Sequence, residues 1–353
     1  MALVDAPPVA ADDLSRASFT GSASEYFGIW IVNILLTILT LGIYSAWAKV
    51  RRKRYFHGNT MLLGRTFEYH ARGGQILVGR LIVVGVLVVL SVLSHIHPAF
   101  GLVTWLVYMV GLPWLIRRSL RFNARVTSYR NVRFDFVGTT GGAFVAVTLG
   151  GLVAFLTLGI LAPLASRWLW RYILNNLRYG DRAFSADPRL GALYRAWVLP
   201  FLLFVLGGVM VGGGVAAMIA TQTHTYDMPS GVDVAIQFLP FLFLLFLGFI
   251  GLVYRIGVRN VVLSAAVLDL RHQLLSDVPR LGYAWVAISN ILATMFTIGL
   301  MRPWAAVRMA RYTNAHTGIR IHGDPGDVIS NIEASGSAIS AEYVDMEGFD
   351  FGF

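Results

Sequence analysis

The chain has 353 residues, 56% hydrophobic and only 14% charged, with a formal net charge of +10 and no cysteine. Soluble globular chains carry about 25% charged residues, and a chain without Cys has no disulfide, no Cys-ligated zinc or iron–sulfur cluster and no thiol nucleophile. The shortage of charge is concentrated: 26–48, 81–116, 141–166, 198–226, 234–254 and 281–301 contain no Asp, Glu, Lys or Arg.

Residues 1–18 form an N-terminal tail without a basic stretch leading into an apolar one, so no cleavable signal is expected. The runs that follow lack the charged face of a soluble core helix and the alternation of an outer-membrane strand. A spanning helix takes about 20 apolar residues. Residues 81–116 are long enough for two such helices, and "SHIHP" (Ser94 to Pro98) marks the turn between them. Residues 196–220 and 234–254 form a second pair. The runs 26–48, 141–166 and 281–301 each contain Thr-(Leu/Ile)-Gly, at Thr40–Gly42, Thr157–Gly159 and Thr297–Gly299, followed four residues later by Ala46, Pro163 and Pro303. Gly and then Pro can end one helix and start the next. After each basic cluster come short strand-like phrases, at 60–70, 129–138, 177–186 and 318–324.

The chain repeats itself. A shift of 257 lays 33–60 on 290–317 with 13 of 28 residues identical, among them Asn33/Asn290, Thr37/Thr294, Arg51/Arg308 and Arg54/Arg311. A shift of 117 aligns Arg54 and Tyr55 with Arg171 and Tyr172. The expected organisation is a tail (1–18), repeat unit 1 (19–135), repeat unit 2 (136–275), partial unit 3 (276–320) and an acidic C-terminal tail (321–353).

The phrases "TLGIYSAWAKVRRKRYFHGNT" and "TIGLMRPWAAVRMARYTNAHT", with the ending "AEYVDMEGFDFGF", resemble the YjgN-like family of bacterial inner-membrane proteins, a domain of unknown function, over about 19–353. The resemblance implies a multi-pass protein of the bacterial inner membrane and no established activity.

Basic residues fall in clusters at 49–80, 117–133, 167–195, 255–280 and 302–320, while 94–99 and 221–233 have none. Cytoplasmic loops are the positive ones, so all five clusters are expected inside. Full crossing of all seven apolar segments would place 167–195 and 255–280 outside. The expected fold class is therefore an α-helical multi-pass membrane protein with internal repeats: two transmembrane hairpins, three kinked or re-entrant segments, and small cytoplasmic β elements.

Arg51, Arg54, Arg117, Arg121, Arg171, Arg308 and Arg311 are candidates for binding anions or lipid head groups. Several are spaced to share a helix face, and each basic residue near an anionic surface contributes ~1 kcal/mol. Asn33, Thr37, Asn290 and Thr294 are polar residues at depth, suited to a pore lining or to interhelical hydrogen bonds. Gly208 and Gly212 form a GxxxG packing motif. No motif for catalysis, metal or cofactor stands out. The expectation is a non-enzymatic protein whose Arg-rich cytoplasmic face binds anionic lipid or another anionic partner; the alternative is a transporter or channel for an uncharged or anionic small solute. Membrane lipids and cytoplasmic-side anionic head groups are the expected partners, a homo-oligomer is allowed, and nucleic acid is not expected. The tail 321–353, with seven acids and no Lys or Arg, is expected to dock on the basic face through Tyr343, Phe349, Phe351 and Phe353.

The charge distribution gives a direct test. In intact cells, Ser185→Cys in this Cys-free chain should escape an impermeant thiol reagent and react only after permeabilisation; strong labelling in intact cells would place 167–195 outside.

Overall fold

The computed structural model describes residues 13–97, 99–222 and 230–322. Residues 323–353, and with them the expected docking of the acidic tail, lie outside the described residues.

Helical hairpins alternate with β-hairpins along the chain. α1 (Ala23–Leu39) and α2 (Ser45–Gly58) lead to β3 (Thr60–Leu62) and β4 (Arg65–Tyr69). α3 (Gly73–Ile96) and α4 (Ala99–Arg125) lead to β5 (Thr127–Tyr129) and β6 (Val132–Phe136). The third helical hairpin starts with α5 (Thr140–Ala143), continues through a π-helical stretch, Phe144–Leu149, into α6 (Gly150–Leu156), and returns as α7 (Ala162–Asn175). β7 (Leu177–Tyr179) and β8 (Arg182–Ala186) follow, then α8 (Leu190–Gln222), α9 (Ser230–Ser264), β9 (Ala266–Leu268) and β10 (His272–Ser276). The last hairpin, α10 (Arg280–Phe296) and α11 (Arg302–Ala315), ends in β11 (Thr317–Ile321).

All the strands belong to one antiparallel sheet. Its two ends are β1 (Asp13–Arg16) and β2 (Ser18–Phe19), consecutive pieces of one extended stretch. β1 pairs with β11, from Asp13↔Ile321 to Arg16↔Gly318, while β2 pairs with β3 through Ser18↔Met61 and Phe19↔Thr60. Ala17 N donates to Thr317 O at 2.8 Å and Thr20 N to Asn59 O at 2.9 Å, so the sheet comes round on itself through residues 13–20. The β-hairpin turns follow from backbone sterics. Leu63–Gly64, Arg130–Asn131 and Asp269–Leu270 all have positive φ, the mirror-image turn that matches strand twist.

The helices close as well. α2 packs on α3, α4 on the π-helical stretch, α7 on α8, α9 on α10, and α11 on α1. Four helices are long and apolar enough to cross a membrane: Gly73–Ile96, Ala99–Arg125, Leu190–Gly214 and Phe241–Ser264. They form two long hairpins. The other three hairpins are short and share one turn. Thr40, Thr157 and Thr297 cap the outgoing helix, and the next two residues, Leu41–Gly42, Leu158–Gly159 and Ile298–Gly299, have positive φ. Gly42, Gly159 and Gly299 N–H groups each reach back five residues to a carbonyl at 2.7 Å, the bond of a Schellman motif. Each Thr hydroxyl then accepts the backbone N–H four residues on, at 2.9 Å for Tyr44, 3.1 Å for Leu161 and 3.0 Å for Met301. Pro163 and Pro303 stand in the first turn of the returning helix, where a missing N–H costs nothing.

Two expectations are overturned. The β component is an eleven-stranded sheet that joins every helical hairpin, in place of small β elements. Its strands have two to five residues each, too few to show a period alone, and each is held on at least one side by a partner far away in sequence. The runs at 26–48, 141–166 and 281–301 are also not segments that turn back within themselves. Each is one outgoing helix plus the turn, and the returning arm is the basic helix. The GxxxG expectation shifts as well: Gly208 and Gly212 face open space, while Gly207 is the glycine packed against the Phe246 ring.

The seam between β1 and β11 makes a stability prediction. A Cβ on Gly318 would stand 2.5 Å from Ser15 O, whereas one on Gly191 in α8 would meet nothing. Gly318→Ala should lower the melting temperature in detergent, as overpacking by about 1–3 kcal/mol. Gly191→Ala should leave it unchanged or raise it slightly. Equal effects of the two substitutions would argue against the seam.

Candidate functional site

The returning helices carry most of the candidate Arg residues, and the structure spreads them round the ring. Arg54 donates to Tyr69 O at 3.2 Å and to Ala71 O at 3.1 Å. Arg117 donates to Gly138 O and Arg311 to Gly21 O, both at 2.7 Å. Arg171 lies 3.6 Å from the Asp187 carboxylate, which Arg167 also holds at 2.8 Å. On α9 the same place is taken by Asn260, which donates to Val278 O at 2.8 Å. Arg54, Arg117, Asn260 and Arg311 tie a returning helix to the backbone that enters the next hairpin, and Arg171 reaches the Asp187 carboxylate at such a link. Arg54, Arg171 and Arg311 therefore face three different links and do not converge. Arg121 keeps a buried Nε without a hydrogen-bond partner.

The tyrosines that follow three of these residues serve their own hairpins. Tyr55 OH donates to Ser22 O and Tyr172 OH to Thr139 O, at 2.8 and 2.9 Å. Their hydroxyls leave no room for a Cβ at Gly21 or Gly138, and Tyr312 does the same at Gly282.

The polar residues at depth act within single hairpins. Arg51 donates to Asn33 Oδ1 at 3.3 Å and to Tyr44 OH at 3.2 Å. Arg308 donates to Asn290 Oδ1 at 3.1 Å and Ser289 Oγ at 2.7 Å. Both Asn residues are buried. Thr37 and Thr294 hydroxyls donate to the carbonyls of Asn33 and Asn290, one turn back. Asn33 with Arg51 and Asn290 with Arg308 latch outgoing to returning helix, the two Thr residues bond within their own helices, and none of them lines the two cavities beside the strands.

A cation cluster that the sequence reading did not single out lies on α2 and the second turn of α3: Lys49, Arg52, Lys53 and Arg80. Burial, and then Arg80 and Arg52, pull Lys49 below its ordinary pKa. Burial, and then Lys49 and Arg52, pull Lys53 down to about 8. Among the described residues no carboxylate pairs with any of the four. Arg80 donates to Ser45 Oγ at 2.6 Å. Lys53 donates to Asn123 Oδ1 on α4 and stands 4.9 Å over the Tyr69 ring. The available signal was composition: Lys49 and Lys53 are the only two lysines, and like charges four apart on a helix repel.

Two cavities lie where the returning helices meet the strands. The first, about 500 Å³, has Phe56, His57, Leu120 and Asn123 in its lining. The second, about 400 Å³, is lined from strands all round the sheet, including Leu62, Tyr129, Phe184, Leu268 and Ile319. They share Thr60, Phe67, Phe134 and Leu177. We refer to them together as the axial cavity.

The three short hairpins end in bare apolar tips: Leu41 is 94% exposed, Leu158 75% and Ile298 95%. Each holds left-handed backbone, which costs a non-glycine residue about 1–3 kcal/mol and recurs at functional places.

The stitching role predicts that Arg311→Gln lowers thermal stability in detergent, by the about 1–3 kcal/mol of a lost hydrogen bond to a charged donor. An unchanged melting curve would leave Arg311 free for ligand binding.

Residues 15–346 match the family described as bacterial protein of unknown function (DUF898). Inner membrane protein YjgN of Salmonella typhimurium (strain LT2) is 26% identical over 352 residues, covering 87% of this chain and 88% of the relative. Inner membrane protein YjgN of Escherichia coli (strain K12) is 40% identical over 119 residues, 33% of this chain and 30% of the relative. No solved structure matches. With four helices long and apolar enough to cross a bilayer, the chain is a multi-pass inner-membrane protein and belongs to the DUF898 family, as the resemblance read from its Thr-Leu-Gly and Arg-Tyr phrases implies.

Proposed function

We propose that this is a non-enzymatic protein whose strand ring lies against the cytoplasmic leaflet and whose cation cluster, Lys49, Arg52 and Arg80, holds anionic lipid head groups. One observation carries the reading: these like charges crowd together without a carboxylate partner among the described residues, where the apolar run of α3 begins. An anion relieves their repulsion, and a membrane surface supplies one at ~1 kcal/mol per basic residue.

Two further features support it. The ring-side ends of the four long helices carry Arg80, Arg117, Arg195 and Arg255, while 221–233 and 94–99 carry no Lys or Arg, the bias of a cytoplasmic ring. The apolar tips at Leu41, Leu158 and Ile298 belong to hairpins rooted in that ring. Burying such side chains in lipid contributes about 1.5–3 kcal/mol each, enough to offset their backbone strain. The transport reading is less well supported, because the axial cavity meets the long helices only at their ring ends, at Leu120, Asn123, Ala124 and Leu263.

The test replaces Lys49, Arg52 and Arg80 together by Gln and measures phospholipid retained through purification by mass spectrometry. Retained phosphatidylglycerol and cardiolipin should fall severalfold, and added phosphatidylglycerol should no longer raise the melting temperature. Wild-type retention in a well-folded variant would sink the proposal.

A further inference from the structure

The axial cavity has a chemistry of its own. Its polar lining is already occupied. Thr60 Oγ1 donates to Phe56 O at 2.8 Å and Thr317 Oγ1 to Thr313 O at 2.7 Å. Tyr129 OH donates to Leu62 O and Tyr179 OH to Tyr129 O at 2.8 Å. Arg130 donates to Leu63 O at 2.7 Å, His272 Nδ1 accepts from His322 N at 3.3 Å, and Asn314 donates to Thr60 Oγ1 at 3.4 Å; most of the remaining lining is Leu, Phe and Ile surface. Ordered water needs two to four polar partners, and an empty space of this size forfeits the dispersion contacts of a close-packed interior. Each part falls in the ~300–1,000 Å³ range of ligand pockets. The shape and lining call for a long apolar chain.

Beside the first part of this space, one hydrogen bond behind its lining, stands a cation. Lys53 hydrogen-bonds Asn123, a lining residue of the first part, and the Lys53 carbonyl is 2.9 Å from Nδ1 of His57, another lining residue. A neutral amide and an aromatic face are its contacts, and no acid compensates it among the described residues. Burying an ammonium this way is unfavourable unless an anion joins it. From Lys53 to Thr60 is about 10 Å of helix, and β3 adds about 7 Å more, so the space suits a long chain.

We propose that the axial cavity binds a long-chain fatty carboxylate, with the chain inside the strand ring and the carboxylate on Lys53 and Asn123. This goes beyond the head-group reading: the ligand is a single-chain amphiphile, and its anchor is Lys53 and not the Lys49–Arg52–Arg80 cluster. The lowered pKa of Lys53, to about 8, agrees with a site built to receive a negative charge.

The experiment uses the full-length protein in neutral detergent and a diazirine-bearing palmitate, with cross-links mapped by mass spectrometry. Cross-links should fall within 60–67, 129–134 and 317–321. Excess palmitate should abolish them, and excess hexadecanol, equal in chain and lacking the charge, should not. Lys53→Met should reduce them about tenfold and Lys53→Arg should retain them, with folding checked by gel filtration. Leu177→Trp, at the neck shared by the two parts, should also block them. If that variant fails to fold, competition and the Lys53 pair still decide. Labelling confined to the long helices, hexadecanol competing as well as palmitate, or Lys53→Met labelling like wild type would overturn the proposal. Displacement by dioleoyl phosphatidylglycerol at equal potency would also overturn it, by assigning the site to phospholipid. Loss of retained phospholipid in the Lys49/Arg52/Arg80 variant leaves these cross-links in place, so the two readings fail separately.

Discussion

Backbone hydrogen bonding of residues 13–20 to both ends of the sheet is the constraint on which the architecture rests. Strands of two to five residues would not persist alone. An open edge would also leave a row of unpaired amides and carbonyls. One extended stretch, bonded to β11 by Asp13–Arg16 and to β3 by Ser18–Phe19, removes both edges at once. The bidentate Arg16–Asp277 pair, at 2.9 and 2.6 Å, fastens the same seam. It is about half exposed, so it adds little beside the ladder.

A closed ring fixes where every helix begins and ends. Each helical hairpin leaves one strand and returns to the next, so all basic returning arms are gathered beside the sheet. That arrangement explains the Arg-Tyr pair at 54–55 and 311–312. The arginine bonds backbone entering the neighbouring hairpin, Ala71 for Arg54 and Gly21 for Arg311. The tyrosine closes on its own hairpin, where Gly21 and Gly282 leave it space. These charges are spent on the fold.

The same geometry creates the axial space. Short strands standing round a ring leave their inward Leu, Phe and Tyr side chains facing one another, and the Thr and Tyr hydroxyls turn back to backbone carbonyls. The result is a largely apolar interior, with Arg130, His272 and Asn314 at its wall, in a layer of the molecule that the charge distribution alone marks as polar. Lys53 adjoins that interior through its hydrogen bond to Asn123.

The sequence by itself determined the membrane class, the two long hairpins, the gathering of positive charge and the Thr-(Leu/Ile)-Gly breaks. These depend on local composition: apolar runs without charge, and a capping Thr before left-handed backbone. The family was legible for the same reason, in the phrases around Trp47, Arg54 and Tyr55. Tertiary structure alone decided the ring, the partners of the arginines and the axial cavity. Asp13 and Ile321 pair across nearly the whole chain, and no short window carries a signal for such a pairing. Arg54 and Arg52 lie two apart on one helix and look alike in the sequence. One meets carbonyls and the other stands beside like charge, because helix rotation and the neighbouring hairpin, set by the closed sheet, choose what each side chain faces.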